Sequence, residues 1–264
     1  MLDLLPGFEV GIETLLLLMT AGFLAGFIDA VAGGGGLITV PVLLIAGANP
    51  VTALATNKIQ GLFGAATAAL SYARGGHVDL RRQGGSALIA FVAAIAGALL
   101  GSVLPTEWIR MILPLLLIGI AVFFATKKGL GDLDRARRLS PALFAGTMVP
   151  LCAAYDGLLG PGAGSFYMLA FVSLAGYGIL KATAHTKLLN LSSNAGALVA
   201  FAFVATPWWM TGLAMGLAQI AGARLGAGLA QEIGARVIKP LLVLTSVALA
   251  MKLIFDMLYS QNPG

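Results

Sequence analysis

Charge is scarce in this chain of 264 residues: 16 are Lys or Arg, 11 are Asp or Glu, and together they make only 10%, while 59% are hydrophobic. A soluble domain carries about 25% charged and about 45–50% apolar residues, so water is excluded as the only solvent. The charges also cluster, leaving Gln83–Thr106 and Leu188–Ala223 without one. Each run matches or exceeds the roughly 20 residues that cross a bilayer. The net charge of +5 therefore reads as basic loops beside an anionic leaflet, and nucleic-acid binding is excluded as the default.

Cysteine is nearly absent as well. Cys152 stands alone, which removes an intramolecular disulfide and a thiolate metal cage. No Lys or Arg precedes Lys58, and Asp3, Glu9 and Glu13 make the start acidic, so the basic n-region of a cleavable signal peptide is missing. The first apolar run is expected to stay in the mature protein. A GxxxxGK[ST] phosphate loop is also missing, which argues against ATP as the energy source.

What is there divides into ten approximate hydrophobic segments: 12–32, 34–47, 50–72, 84–104, 108–126, 140–158, 161–177, 180–204, 208–230 and 237–258. The second and seventh are short and glycine-flanked, which makes them candidates for broken or re-entrant helices. An internal repeat supports the division. Asp29-Ala-Val-Ala-Gly33-Gly-Gly35 returns as Asp156-Gly-Leu-Leu-Gly160-Pro-Gly162, offset by 127, and Ala55-Thr-Asn57-Lys58 returns as Ala184-His-Thr186-Lys187, offset by 129. Gly97-Ala-Leu-Leu-Gly101 returns as Gly222-Ala-Arg-Leu-Gly226, offset by 125. The expected architecture is all-α: a polytopic transmembrane helical bundle of two five-segment repeats, 1–130 and 131–264, forming one integral membrane domain.

Loop charge sets the expected orientation. The 74–82 loop holds Arg74, Arg81 and Arg82, the central linker holds Lys127, Lys128, Arg135, Arg137 and Arg138, and the turn before the tenth segment holds Arg236 and Lys239. These read as cytoplasmic. Thr206-Pro-Trp-Trp209, the repeat counterpart of the 74–82 loop, is uncharged. Equivalent loops on opposite sides mean inverted repeats, with both termini outside. That parity holds whether the first two segments cross fully or form one re-entrant hairpin.

Lys58 lies eight residues past Pro50, some 12 Å along its helix and near the middle of a hydrocarbon core about 30 Å thick. Lys187 is similarly deep from the other side. Such groups face a cavity or a partner, which leaves two readings: a structural salt bridge with Asp29 or Asp156, or two lysines converging on an anion. Gly33–Gly36 and the glycines of 160–164 could present free amides and a helix N-terminus to a negative ligand, or serve close helix packing. Neither is set in the βαβ pattern of a dinucleotide site. Asp29 and Asp156 could carry a proton through a transport cycle or pair with a lysine. Asn57, Thr186 and Asn190 are the best candidates for ligand contact among the nearby polar residues, which also include Gln60, Ser192, Ser193 and Asn194. Ser165 with His185 is the one plausible hydrolase couple, and it lacks the glycine of a nucleophile elbow. His185 otherwise reads as structural, and Trp108, Trp208, Trp209 and Tyr259 as interfacial belt residues.

Taken together, Gly26-Phe-Ile-Asp-Ala-Val-Ala-Gly-Gly-Gly-Gly-Leu37, Thr56-Asn-Lys-Ile-Gln60, Asp156-Gly-Leu-Leu-Gly-Pro-Gly-Ala-Gly-Ser-Phe166, His185-Thr-Lys-Leu-Leu-Asn190 and Gly222–Gly226 resemble the TauE/SafE sulfite-exporter family, particularly its YfcA-like branch. The resemblance implies a secondary transporter, not an enzyme, that exports sulfite or an organosulfonate across the bacterial inner membrane. Its expected partners are that anion, the lipid bilayer and a second copy in a homodimer, with no nucleic acid. The expected substrate-binding residues are Lys58, Lys187, Asn57, Thr186, Asn190, Gly34, Gly35, Gly162 and Gly164, with Asp29 and Asp156 for proton coupling or ion pairing. No catalytic residue, metal or cofactor is expected. A passive anion channel would use the same residues.

Overall fold

The computed structural model describes residues 7–101, 118–119, 122–126 and 131–260. Its named elements are helices: α1 (Ile12–Ala32), α2 (Gly36–Ile45), α3 (Pro50–Arg74), α4 (Gly84–Gly101), α5 (Pro141–Leu158), α6 (Ala163–Ala170), α7 (Ile179–Val204), α8 (Trp209–Ile233) and α9 (Ala235–Ser260). No strand occurs among the described residues. The segments read from hydropathy reappear as these helices, except the fifth, 108–126, which lies mostly outside the described residues. Phe124 from that segment is buried in the main core.

Local chemistry sets several helix starts. Asn49 accepts a hydrogen bond from the Thr52 amide (2.9 Å) just before Pro50, and Ser140 accepts one from the Leu143 amide (3.3 Å) just before Pro141. A polar cap with proline at the first helical position satisfies one orphan donor and removes another. Glycines in conformations that disfavour other residues break the helices elsewhere: Gly33 (φ 74°) and Gly34 (φ 119°) after α1, Gly160 (φ 88°) and Gly162 (φ 83°) after α5.

Both breaks reverse the chain. Leu43 of α2 packs with Val10 and Leu15 at the start of α1, so α2 returns to the end of the bundle where α1 began. In the second half α6 widens into a π-helical turn over Phe171–Ala175, and Phe171 meets Phe144 at the start of α5 with ring centroids 4.7 Å apart. The short second and seventh segments are thus return arms of re-entrant hairpins, which hydropathy left undecided. The hairpins enter from opposite ends and touch at their tips: a Cβ built on Gly33 would lie 2.8 Å from the Gly164 backbone.

One end of the bundle gathers the basic segments, because Gln231 near the end of α8 bonds Ser71 near the end of α3 (3.0 Å), and the 131–139 linker bonds the π-turn. The other end holds the 205–208 turn, whose Thr206 carbonyl accepts from the Thr52 hydroxyl (3.1 Å). Helix α3 joins the two ends with 25 residues, about 37 Å of rise.

Among the described residues four helices, α1, α4, α7 and α8, are by length and composition able to cross a membrane. Helix α3 is long enough but carries the buried polar run Thr56, Asn57, Lys58 and Gln60. Outward-facing Leu16, Leu88, Leu151, Leu217 and Leu225 are exposed, as expected of side chains that meet lipid. Small residues bring the helices together. A Cβ on Gly26 of α1 would lie 2.5 Å from the Gln219 carbonyl of α8, and Gly97 of α4 and Gly157 of α5 press on the carbonyls of Ala154 and Ala94. Helices that gain nothing from mutual burial in lipid associate through such close packing. The repeat relates these contacts: α1 packs on α8 as α5 packs on α4, and α3 on α8 as α7 on α4.

Candidate functional site

Where the hairpin tips meet, each lysine reaches across to the aspartate of the other half. Lys58 of α3 donates to Asp156 Oδ1 and to the Asp156 carbonyl, both at 2.6 Å. Lys187 of α7 donates to the Asp29 carbonyl and to Asp29 Oδ2 (3.1 Å). Lys58 and Lys187 are 1% and 0% exposed, so each ammonium is fully committed inside the protein. A buried charge is tolerable only when paired and hydrogen-bonded, and here each lysine also caps a carbonyl at the broken end of a helix.

The carboxylates are satisfied on their remaining sides. Asp29 Oδ1 accepts from the Gly34 and Gly35 amides (3.0 and 3.2 Å), and Ser193 donates to Asp156 Oδ2. The structure therefore displays the salt-bridge arrangement of the lysines, each with the aspartate of the opposite repeat.

Beside these pairs lies a polar cavity of ≈ 40 Å³. A water needs about 10–15 Å³ of such space, so it accommodates a few waters or a small ion. Asp29, Asp156, Gly34, Gly35, Gly162 and Gly164 line it, together with Asn57 and Asn190. Lys58 and Lys187 are outside the lining and bond to its carboxylates from behind; Thr186 is also outside the lining, buried, and its hydroxyl has no partner. Among the described residues the amides of Gly36, Gly162 and Gly164, all in the lining, make no hydrogen bond. Gly36 opens α2 and Gly164 sits in the first turn of α6, so two helix N-termini converge here from opposite ends. Open amides at a helix N-terminus favour an anion.

Carboxamides complete the wall. Asn57 Oδ1 accepts from Thr39 (2.7 Å) and Gln60 (3.0 Å), which leaves its Nδ2 as the group free to donate. Asn190 and Gln219 are buried with side-chain oxygens that have no partner. In a low-dielectric interior an unanswered polar group is costly, so these amides mark a place where a ligand or water belongs.

Gln219 went unnoticed in the sequence, and Asn194 was only one of several nearby polar groups; both line the cavity. The signal for Gln219 is an amide standing far from Asn190 and Asn194 in the uncharged run Leu188–Ala223, but it has no repeat mate, since Ala94 holds that place. The hydrolase couple does not form. Ser165 is buried at the α6 tip beside Gly33, whereas His185 packs on Tyr177 (4.8 Å) in a second, larger cavity at the basic end.

The family model described as "Sulfite exporter TauE/SafE" matches residues 18–253. The chain is 52% identical over 248 residues to "Probable membrane transporter protein ORF9" of a Sinorhizobium species, covering 94% of this chain and 95% of that one. It is 43% identical over 239 residues to "Probable membrane transporter protein YfcA" of Escherichia coli K12, covering 90% and 89%. A Haemophilus influenzae protein named "Probable membrane transporter protein" is 39% identical over 248 residues, covering 94% and 97%. No solved structure matches the chain.

Proposed function

The chain belongs to the sulfite exporter TauE/SafE family and is a multi-pass membrane transporter rather than an enzyme, and from that premise we propose that it exports a small anion such as sulfite or an organosulfonate through the central cavity. The observation that carries the reading is the convergence of two helix N-termini, with the open amides of Gly36, Gly162 and Gly164, on a buried cavity walled by Asn57, Asn190, Asn194 and Gln219. The three open backbone amides, with Asn57 Nδ2, are donors that suit a compact oxyanion, and the open oxygens of Asn190 and Gln219 suit a proton that it carries. Gly34 and Gly35 hold Asp29, and the unpartnered Thr186 hydroxyl lies next to Lys187 in the chain.

The lysines enter the cycle through exchange of partners. An anion arriving in the cavity competes with Asp29 and Asp156 for Lys187 and Lys58, and a carboxylate released into low dielectric takes up a proton. That exchange would couple anion movement to a proton gradient and distinguishes a secondary transporter from a passive channel. The repeats 1–130 and 131–264 supply one hairpin and one lysine helix each, and their inverted relation is supported by the exchanged packing pairs. We place the chain in a bacterial inner membrane with the basic end in the cytoplasm and both termini in the periplasm. A homodimer is its assembled form, although the cavity is complete within one chain.

Labelled sulfite flux in proteoliposomes, with and without an imposed pH gradient, tests the proposal. Saturable flux that follows the gradient is expected. Flux unaffected by the gradient would make the protein a channel, and no flux of sulfite or small sulfonates would remove the substrate class.

A further inference from the structure

The two carboxylates at the hairpin tips are repeat mates, yet different chemistry holds them. Asp29 receives the Gly34 and Gly35 amides on Oδ1 (3.0 and 3.2 Å) and the Lys187 ammonium on Oδ2 (3.1 Å). Each of these groups only donates, and a backbone amide cannot turn round to accept. Hydrogen bonds to the charged form favour it, so the whole set suits a carboxylate. Tyr72, which also faces Asp29, gives its hydroxyl to the Ala30 carbonyl (2.9 Å).

The sequence removes that arrangement from the second half. At the offset of 127, Gly34 is matched by Pro161, which has no N–H, and Gly35 by Gly162, whose amide makes no hydrogen bond among the described residues. Asp156 instead receives the Ser193 hydroxyl on Oδ2 and the Lys58 ammonium on Oδ1 (2.6 Å). Ser193 has no hydroxyl counterpart, since Gly64 holds its place at the offset of 129. A hydroxyl both donates and accepts, and Ser193 Oγ lies 3.2 Å from the Asn190 carbonyl, a second acceptor for its hydrogen. The same atoms therefore answer Asp156 in either protonation state: Ser193 donates to the carboxylate, or turns to Asn190 and accepts from the acid. The charged and titratable groups facing Asp156 are Lys58 of α3, Tyr167 of α6, Cys152 and Tyr155 of its own helix, and Asp29 across the cavity. Tyr155 donates to the Pro161 carbonyl (2.6 Å), which leaves Ser193 as the hydroxyl bonded to Asp156.

We propose that Asp156, positioned by Ser193, carries the coupling proton, and that Asp29 stays a carboxylate throughout and anchors Lys187. The exchange of anion and proton proposed for the central cavity, on which this rests, is thereby confined to one half of the molecule. Asp156 lines the cavity, so water there can deliver the proton. The proton adds to Asp156 Oδ2, the Ser193 hydroxyl turns to the Asn190 carbonyl, and the Lys58 ammonium loses its counter-ion. One negative charge on an anion in the cavity then restores the balance. Lys187 keeps its bonds to Asp29, so the tip of the second hairpin is the one that loosens.

The test is infrared difference spectroscopy of the full chain in neutral phosphatidylcholine nanodiscs, where a protonated carboxyl shows its own C=O band. Acidification in chloride buffer should raise a band that Asp156→Asn lacks and Asp29→Asn retains. Ser193→Ala keeps every charged group, and it decides the matter even where an Asn variant fails to fold. Its band should appear at higher wavenumber, because the acid has lost a hydrogen bond; a serine that merely packs would leave the band in place. At constant pH, methanesulfonate, whose charge does not titrate, should raise the same band in the wild-type chain. Calorimetry in buffers of different ionisation heat should then read an uptake of about one proton per anion bound. A band lost in Asp29→Asn rather than in Asp156→Asn, or unmoved in Ser193→Ala, would overturn the proposal. An acid band on Asp156 with no response to methanesulfonate or sulfite would count against the anion reading and still place the proton there.

Discussion

At the scale of single residues, the Lys58–Asp156 and Lys187–Asp29 pairs hold the hairpin tips together beside the central polar cavity. Removing one partner of a buried pair strands the other charge, at a cost of about 3–5 kcal/mol. Lys58→Met alone should therefore lower the melting temperature in detergent markedly, and Lys58→Met with Asp156→Asn should recover much of the loss. Sulfite binding to the recovered double variant separates the roles: lost binding assigns the ammonium to the substrate, and wild-type affinity makes the lysine structural. The sequence made these four residues visible because the repeat duplicates Asp, Gly and Lys at nearly constant offsets. It left Gln219 hidden, because that side chain reaches the cavity only through the close approach of α8 to Gly26 and Gly64, a tertiary fact with no local signature.

Among the elements, the 131–139 linker acts as a clamp rather than a simple connection. Asp132 accepts from the Leu180 amide at the start of α7 (3.1 Å) and from the Ala235 amide at the start of α9 (3.0 Å), so one carboxylate caps two helices. At about 1 kcal/mol per cap, Asp132→Ala should cost about 2 kcal/mol, read as a lower melting temperature, with Asp132→Asn less harmful. Beside it, partial burial pushes the Asp134 carboxyl up, but the Lys181 ammonium and the Gly178 amide outweigh that and hold it below its ordinary value. A carboxyl lowered by folding contributes stability that is complete above its unfolded pKa of about 3.9 and is lost as pH falls through the lower folded one. Packing offers a sharper contrast within two glycine positions. Gly97→Ala would drive a methyl into the Ala154 carbonyl and should cost about 1–3 kcal/mol by prising α4 from α5, whereas Gly146→Ala on α5 meets nothing within 4 Å and should be neutral or stabilising. Equal melting temperatures for the two variants would remove close packing as the reason for Gly97.

For the whole molecule, hydropathy and loop charge located the helices in order, while the hairpin character of the second and seventh segments stayed hidden because a full crossing and a return give the same parity. Only the packing of Leu43 on Val10, and of Phe171 on Phe144, decides it. The same geometry fixes the ends of α3: Thr52 contacts Thr206 at one, and Ser71 contacts Gln231 at the other, separated by most of a helix about 37 Å long. Gly76 and Thr206 therefore lie at opposite ends of the bundle, and a membrane around the exposed leucines puts them on opposite sides. On a Cys152→Ala background, Gly76→Cys should react with an impermeant thiol reagent only after the cytoplasmic side is opened, and Thr206→Cys should react in intact spheroplasts. Gly76 suits this test because a Cβ there meets nothing within 4 Å, although its φ of 77° adds strain confined to the turn. Labelling of both from the same side would contradict the inverted repeat, and with it the proposed cycle in which the lysines of the two halves exchange partners.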